Sequence, residues 1–280
     1  MTRLDARIGR RRKSTLSGLP VGFVPRVETS QDQKSFLRDN PDVAWVMLDL
    51  PRVASLVNAG ETARTFFPEG QVITTSTVHD TQVARYHFDR ELSVILRFGP
   101  ALHVARDRPV YAEDSPAGRA GQMADLVRST IEFRNAVEGS GIGVIPLIKG
   151  IEPKEWGRCY RPLAEAGFAG YACYVKQFFG GGQGRRLSQM VNHVRGIVST
   201  CGMPYMILIG YQSLSRMPDM PRVVRAFAGQ GWRGQTRLGK VSLADARARY
   251  SMWAEQAKHV GRMRQEVLHV AVGAGSSGGE

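Results

Sequence analysis

Two stretches of this chain, VIPLI (Val144–Ile148) and YMILI (Tyr205–Ile209), are apolar from end to end. A strand with water on one face alternates apolar and polar residues. These do not, so both of their faces are buried, which is the pattern of parallel strands covered by helices. Other β-rich runs read as strands at Gly22–Val27, Ala44–Leu48, Val72–Val78, Leu92–Leu96, Leu102–Ala105 and Tyr171–Val175, with a weaker one at Trp232–Arg237. Helical patterns lie between the later runs. Ser115-Pro116 opens one that ends near Gly139, Glu152-Pro153 opens a second that ends at Gly167, and Leu187 to Val198 marks a third that ends at Gly202. Successive strands in this half are about 25–35 residues apart, the length of a βα repeat. Eight or nine strands in about 240 residues favour a closed (β/α)8 TIM barrel over an open doubly wound sheet. No GxGxxG follows the first strand, which weighs against a dinucleotide fold. The expectation is one α/β barrel domain over residues 20–270, a basic arm over 1–19 and a Gly/Ser tail over 271–280.

Charge narrows the partners. Lys and Arg number 38 against 25 Asp and Glu, a net +13 with a pI near 10.1. Such an excess suits a polyanion, although a solvated basic surface would carry the same count. Arg10, Arg11, Arg12 and Lys13 sit in an arm with one acid, Asp5, too self-repelling to fold alone and able to neutralise phosphates. No apolar segment follows these arginines, so the N-terminus does not read as a secretory signal. No uncharged apolar run reaches the roughly 18 residues of a membrane span. The three cysteines, Cys159, Cys173 and Cys201, are scattered without metal or redox spacing. A cytoplasmic protein is expected, without metal or cofactor.

In a barrel, working residues stand at the C-terminal ends of strands. The polar residues that follow the apolar runs are Asp49, then Ser76, His79 and Asp80, then Asp107, Lys149, Lys176 with Gln177, Tyr211 with Gln212, and finally Gln235 and Arg237. This set has no pair of carboxylates of the kind used in glycoside hydrolysis and no metal-ligand cluster. Aspartates mixed with Lys and Arg suit a heterocycle joined to phosphate. The loop FFGGGQGRRL, residues 178–187, frees the backbone beside a helix start, where Arg185 and Arg186 favour an anion; it also reads as a plain βα loop.

Three segments then carry a resemblance. DRPVYAEDSPAGRAGQMADLVRSTIEFRN, IGVIPLIKGIEPKEWGRCYRPLAEAGFAGYACYV and MPYMILIGYQSLSRMPDMPRVVRAFAGQGW follow one another between Val104 and Arg237. In order and spacing they resemble the catalytic barrel of tRNA-guanine transglycosylases and, more closely, of their short DNA-modifying relatives. The first is similar to that family's strand ending in Asp with its following loop and long helix. The second is similar to "GIVQGG", a helix and "GFDGYAVGG". The third is similar to "PRYLMGVG" and the helix that runs to the nucleophile strand. The resemblance implies exchange of guanine in DNA or tRNA for a free 7-deazaguanine base such as preQ0. In that chemistry one Asp attacks the sugar C1′ and another holds the purine edge.

Carried over, Asp107 matches the base-recognition Asp. Lys149 stands where the family has Gln, and Tyr174 and Val175 replace paired glycines that border the base. Asp107, Ser76, Lys149, Tyr174 and Lys176 form the expected substrate site; Arg10–Lys13, Arg185, Arg186 and Arg237 form the expected nucleic-acid contacts. The family's Asp-Ser-Gly-Gly-Phe-Gln aligns with Thr75-Ser76-Thr77-Val78-His79-Asp80, without its first Asp. Its nucleophile falls near Gly234, where no carboxylate stands, and no cysteine follows Cys201 to supply its zinc ligands. Two alternatives follow. Asp80 or Asp49 supplies the missing carboxylate, with His79 as proton carrier, or the chain is a degenerate barrel that binds nucleic acid or supports an active partner. Dimerisation stays open.

Overall fold

The structure is a computed structural model and describes residues 18–179 and 186–273. Along the chain run β1 (Gly22–Pro25), α1 (Gln31–Leu37), β2 (Trp45–Asp49), α2 (Leu50–Asn58), α3 (Ala63–Phe66), β3 (Gln71–Thr75), α4 (Asp80–Val83), α5 (Phe88–Phe98) and β4 (Leu102–Ala105). There follow α6 (Pro116–Ala136), β5 (Gly143–Pro146), α7 (Pro153–Glu165), β6 (Tyr171–Tyr174), α8 (Arg186–Cys201), β7 (Met206–Ile209), β8 (Val224–Gly229), α9 (Gly231–Thr236) and α10 (Leu243–Gly273). The fold is α/β with two four-stranded parallel sheets, ordered β1-β8-β7-β6 and β2-β3-β4-β5. Single parallel bridges link the sheets on both sides. Arg26 pairs with Met47, where the Val27 N–H donates to the Met47 carbonyl at 2.9 Å, and Leu147 pairs with Ala172, where the Ile148 N–H donates to the Ala172 carbonyl at 2.9 Å.

Local chemistry sets the helix starts. The Asp49 carboxylate caps α2 by accepting the Arg52 N–H at 3.2 Å, with Pro51 in the first turn. Ser115 caps α6 through the Gly118 N–H at 3.1 Å, and Pro116 needs no N–H partner there. Pro153 opens α7 in the same way. Ser115-Pro116 and Glu152-Pro153 were the helix starts legible in the sequence, whereas the cap at Asp49 was not read there.

Two expected strands are helices. Leu92–Leu96 lies inside α5, whose buried Glu91, Ile95 and Phe98 recur at helical spacing and which stops at Gly99 in the left-handed region, φ 66°. Trp232–Arg237 is α9, with Trp232 and Thr236 buried four residues apart. The segment after β7, expected to hold a helix, contains a 3₁₀ turn (Leu214–Asp219) and then β8. That last strand is hidden in sequence by Arg225 and by Ala226 and Ala228, residues of low strand preference. Tertiary pairing decides it: β8 lies between β1 and β7 and bonds to both.

Register divides the polar residues between the two faces of the second sheet. Asp49, Thr75, Val104 and Ile145 are partners across β2 to β5 and share one face. Thr74, His103 and Val144 share the other, where the His103 ring packs 5.0 Å from Phe133 of α6. Cys159 and Cys173 are fully buried, and burial pushes their thiols up to about 11 and about 12, away from reactivity at neutral pH. Among the described residues no helix is long and apolar enough to cross a membrane.

Candidate functional site

The C-terminal ends of the strands surround a cavity of about 810 Å³, within the roughly 300–1,000 Å³ of small-molecule sites. Asp49 from β2, Tyr174 from β6 and Gly229 from β8 line it, joined by Arg26, Thr77 and Tyr211 from the segments just past β1, β3 and β7. Six strands thus converge on one space. Gly210, at φ 103°, allows this approach, because a Cβ there would stand 3.1 Å from the backbone nitrogen of Lys176.

Asp49 is buried and heavily engaged. Besides capping α2, its carboxylate pairs with the Arg52 guanidinium and lies 3.9 Å from that of Arg26. Arg26 in turn donates to the Thr77 carbonyl at 2.8 Å, so a cation is fixed at the cavity wall. His79 also lines the cavity; its Nδ1 is 3.1 Å from the Thr81 hydroxyl. Asp80 begins α4 in an exposed position, close enough for its charge to act on Asp107.

Asp107 is 8% exposed and pairs with Lys149, Oδ1 to Nζ 2.7 Å. Burial raises its pKa above the ordinary carboxylate value, and the Lys149 ammonium offsets this only in part. The Asp107 N–H donates to the Ser76 Oγ at 2.9 Å, and that hydroxyl donates to the Val104 carbonyl at 3.2 Å. Ser76 is therefore committed to backbone and shapes the site rather than facing it. Asp107 and Lys149 are not among the residues that line the cavity. Tyr174, which does line it, is near enough to feel Asp107, Lys149 and Arg26, and burial raises its hydroxyl pKa.

Lys176 is exposed at the cavity edge on a 3₁₀ turn (Lys176–Phe179). Phe179, at the end of that turn, stacks on Tyr211 with ring centroids 5.0 Å apart and planes 1° apart, and both rings line the cavity. Arg186 is exposed at the first turn of α8, and Arg237 is exposed in a left-handed conformation after α9. Neither lines the cavity. Arg10, Arg11, Arg12, Lys13 and Arg185 lie outside the described residues. The position near Gly234 aligned with the family nucleophile falls on α9; the strand end that reaches the cavity is Gly229, followed by Gln230 and Gly231.

Sequence reasoning missed Arg26, Arg52, Thr77 and Phe179. Arg26 was legible as the one charged residue in the first β-rich run, Gly22–Val27, whereas the stacking of Phe179 on a residue after another strand was not. Compared with known proteins, the chain matches no protein-family model and no curated protein at a significant level.

Proposed function

We propose that this chain is a base-exchange glycosyltransferase that replaces guanine in nucleic acid, DNA in preference to tRNA, with a free 7-deazaguanine. The observation that carries the reading is the Asp107–Lys149 pair at the ends of β4 and β5. Guanine presents N–H donors beside its O6 acceptor. An ionised carboxylate accepts the former and an ammonium donates to the latter, so the pair matches that edge with both signs of charge. The two sheets and the two bridges between them support a closed (β/α)8 barrel, in which strand ends are the usual active face. The cations Arg26 and Lys176 beside the Phe179–Tyr211 stack support a nucleic-acid strand over a small metabolite, since backbone charge and base faces are both served.

In this reading Asp49 is the nucleophile. An Oδ attacks the sugar C1′, and the C1′–N9 bond breaks with its electron pair leaving on guanine, which takes a proton from His79. The incoming 7-deazaguanine gives its N9 proton back to His79 and displaces Asp49 from C1′. A target base in a duplex must first leave the stack, at a cost of a few kcal/mol.

A second reading, a barrel that binds nucleic acid without chemistry, is favoured by one observation: both Asp49 oxygens are already held by Arg52. Incubation of the protein with oligonucleotide and labelled preQ0 separates the two. Exchange predicts label in the nucleoside digest and a covalent protein–nucleoside adduct by mass spectrometry, both lost in Asp107→Ala; binding without label establishes the second reading.

A further inference from the structure

We infer that Glu91 of α5 is a positioning residue that fixes Asp107 through the backbone of Arg106. The inference rests on the proposed role of Asp107 in holding the base. Glu91 is 2% exposed, and its carboxylate meets three donors. Oε1 accepts from His103 Nε2 at 2.9 Å and from the Arg106 backbone N–H at 3.3 Å, and Oε2 accepts from Arg106 Nη1 at 2.8 Å. The Thr74 hydroxyl, 2.8 Å from His103 Nδ1, completes the chain on the helix-facing side of the sheet.

Arg106 itself adopts φ 59°, one of three non-glycine residues with positive φ among the described residues. A side chain makes that conformation costly, so something must hold it. Here two consecutive amides are clamped: the Arg106 N–H by Glu91, and the Asp107 N–H by Ser76. The turn so fixed directs the next side chain towards Lys149. The Arg106 guanidinium neutralises Glu91 and lies 5.4 Å over the Phe88 ring, so the buried charge is matched on the spot. An ion pair that merely fastened α5 to β4 would need only side chains. The bond to the Arg106 amide and the left-handed backbone tie this one to the base-binding aspartate.

The test compares wild type, Glu91→Gln, Arg106→Gly and the double variant in the full chain. Calorimetry gives the affinity for the free base 7-cyano-7-deazaguanine, and hydrogen exchange reads the Arg106 and Asp107 amides. Glu91→Gln is expected to weaken the base about tenfold and to raise exchange at both amides. Adding Arg106→Gly, which takes positive φ without strain, is expected to bring affinity back to within about threefold of wild type. A mere fastening role predicts the opposite, since a second partner is lost. Unchanged affinity and exchange in Glu91→Gln, or a double variant weaker than the single, overturns the inference. A wild type that binds no base overturns the proposed function alone, and the amides still decide the role of Glu91. If Glu91→Gln does not fold, Glu91→Asp keeps the charge but withdraws it by one methylene. Loosened amides then support the inference, and wild-type exchange overturns it.

Discussion

The Lys149 ammonium lies 2.7 Å from the Asp107 carboxylate, and the two residues follow neighbouring strands, β5 and β4. The carboxylate is the more buried partner. Removing the ammonium therefore strands a charge in a low-dielectric site, whereas removing the carboxylate leaves a longer side chain that can reach water. Lys149→Met is expected to cost about 2 kcal/mol of stability, below a fully buried pair because Lys149 keeps some solvent contact. Lys149→Gln, which keeps a donor, is expected to fold and to retain base binding. Chemical denaturation of both variants checks the pair of outcomes.

The same burial sets a pH dependence for binding. Asp107 must be ionised to accept N–H donors, and its pKa in the fold is raised by burial. Base affinity should therefore fall on acidification with a midpoint above the ordinary carboxylate value of about 3.9, and Asp107→Asn should remove that limb. Stability moves the other way for this group. A raised folded pKa means that the folded state binds the proton more tightly, so Asp107 lowers stability as pH rises from its unfolded value through its folded one. Glu91 opposes it. Burial alone would raise its pKa, yet the bonds and charges of His103 and Arg106 lower it, so its contribution is present above the unfolded value and lost as pH falls through the folded one. Calorimetric melts from pH 3 to 7 of wild type and Glu91→Gln should differ chiefly in that acid loss.

Tyr174 lines the cavity, and Asp107 and Lys149, whose charges reach its hydroxyl, do not. In the proposed reading, a base that reaches Asp107 from this cavity passes Tyr174 first. Tyr174→Ala is expected to tighten the free base by about threefold, because the free protein no longer holds the site closed for part of the time. Tyr174→Phe keeps the ring and should bind as wild type. Calorimetric titration with preQ0 reads both; a weaker Tyr174→Ala would mean that the ring stacks on the base instead of covering the carboxylate.

Much of this arrangement was legible from the chain. The uninterrupted apolar runs at Val144–Ile148 and Tyr205–Ile209 marked buried parallel strands, and Ser115-Pro116 and Glu152-Pro153 marked helix starts. Asp49, His79, Lys176, Tyr211 and Gln212 were found by reading strand ends, and they line one cavity, together with Tyr174, which only the family resemblance had picked out. Leu92–Leu96 failed because a five-residue β-rich segment is too short to show its period, and the helical spacing appears only when Ile95 is counted with Glu91 and Phe98 on either side. Strand β8 failed because an interior pressed against two neighbours takes alanine, which sequence preference scores against strands. The Glu91–Arg106 contact joins residues 15 apart through a helix and a strand, and nothing local announces it.

Charge and stacking at the cavity edge make separable contributions to nucleic-acid binding. Lys176 is exposed beside the aromatic pair, so a phosphate it neutralises would release its counterion. Lys176→Ala should reduce the slope of log affinity against log salt by about 0.7 for a single strand. Tyr211 offers no charge, and its ring lies parallel to that of Phe179. Tyr211→Ala should weaken a single-stranded oligonucleotide by about 1–3 kcal/mol and leave the salt slope unchanged. Fluorescence anisotropy across a salt series measures both quantities at once. A Tyr211→Ala variant that keeps both affinity and slope would show that the edge binds by charge alone, with the aromatic stack serving only to hold the turn after β6 against β7.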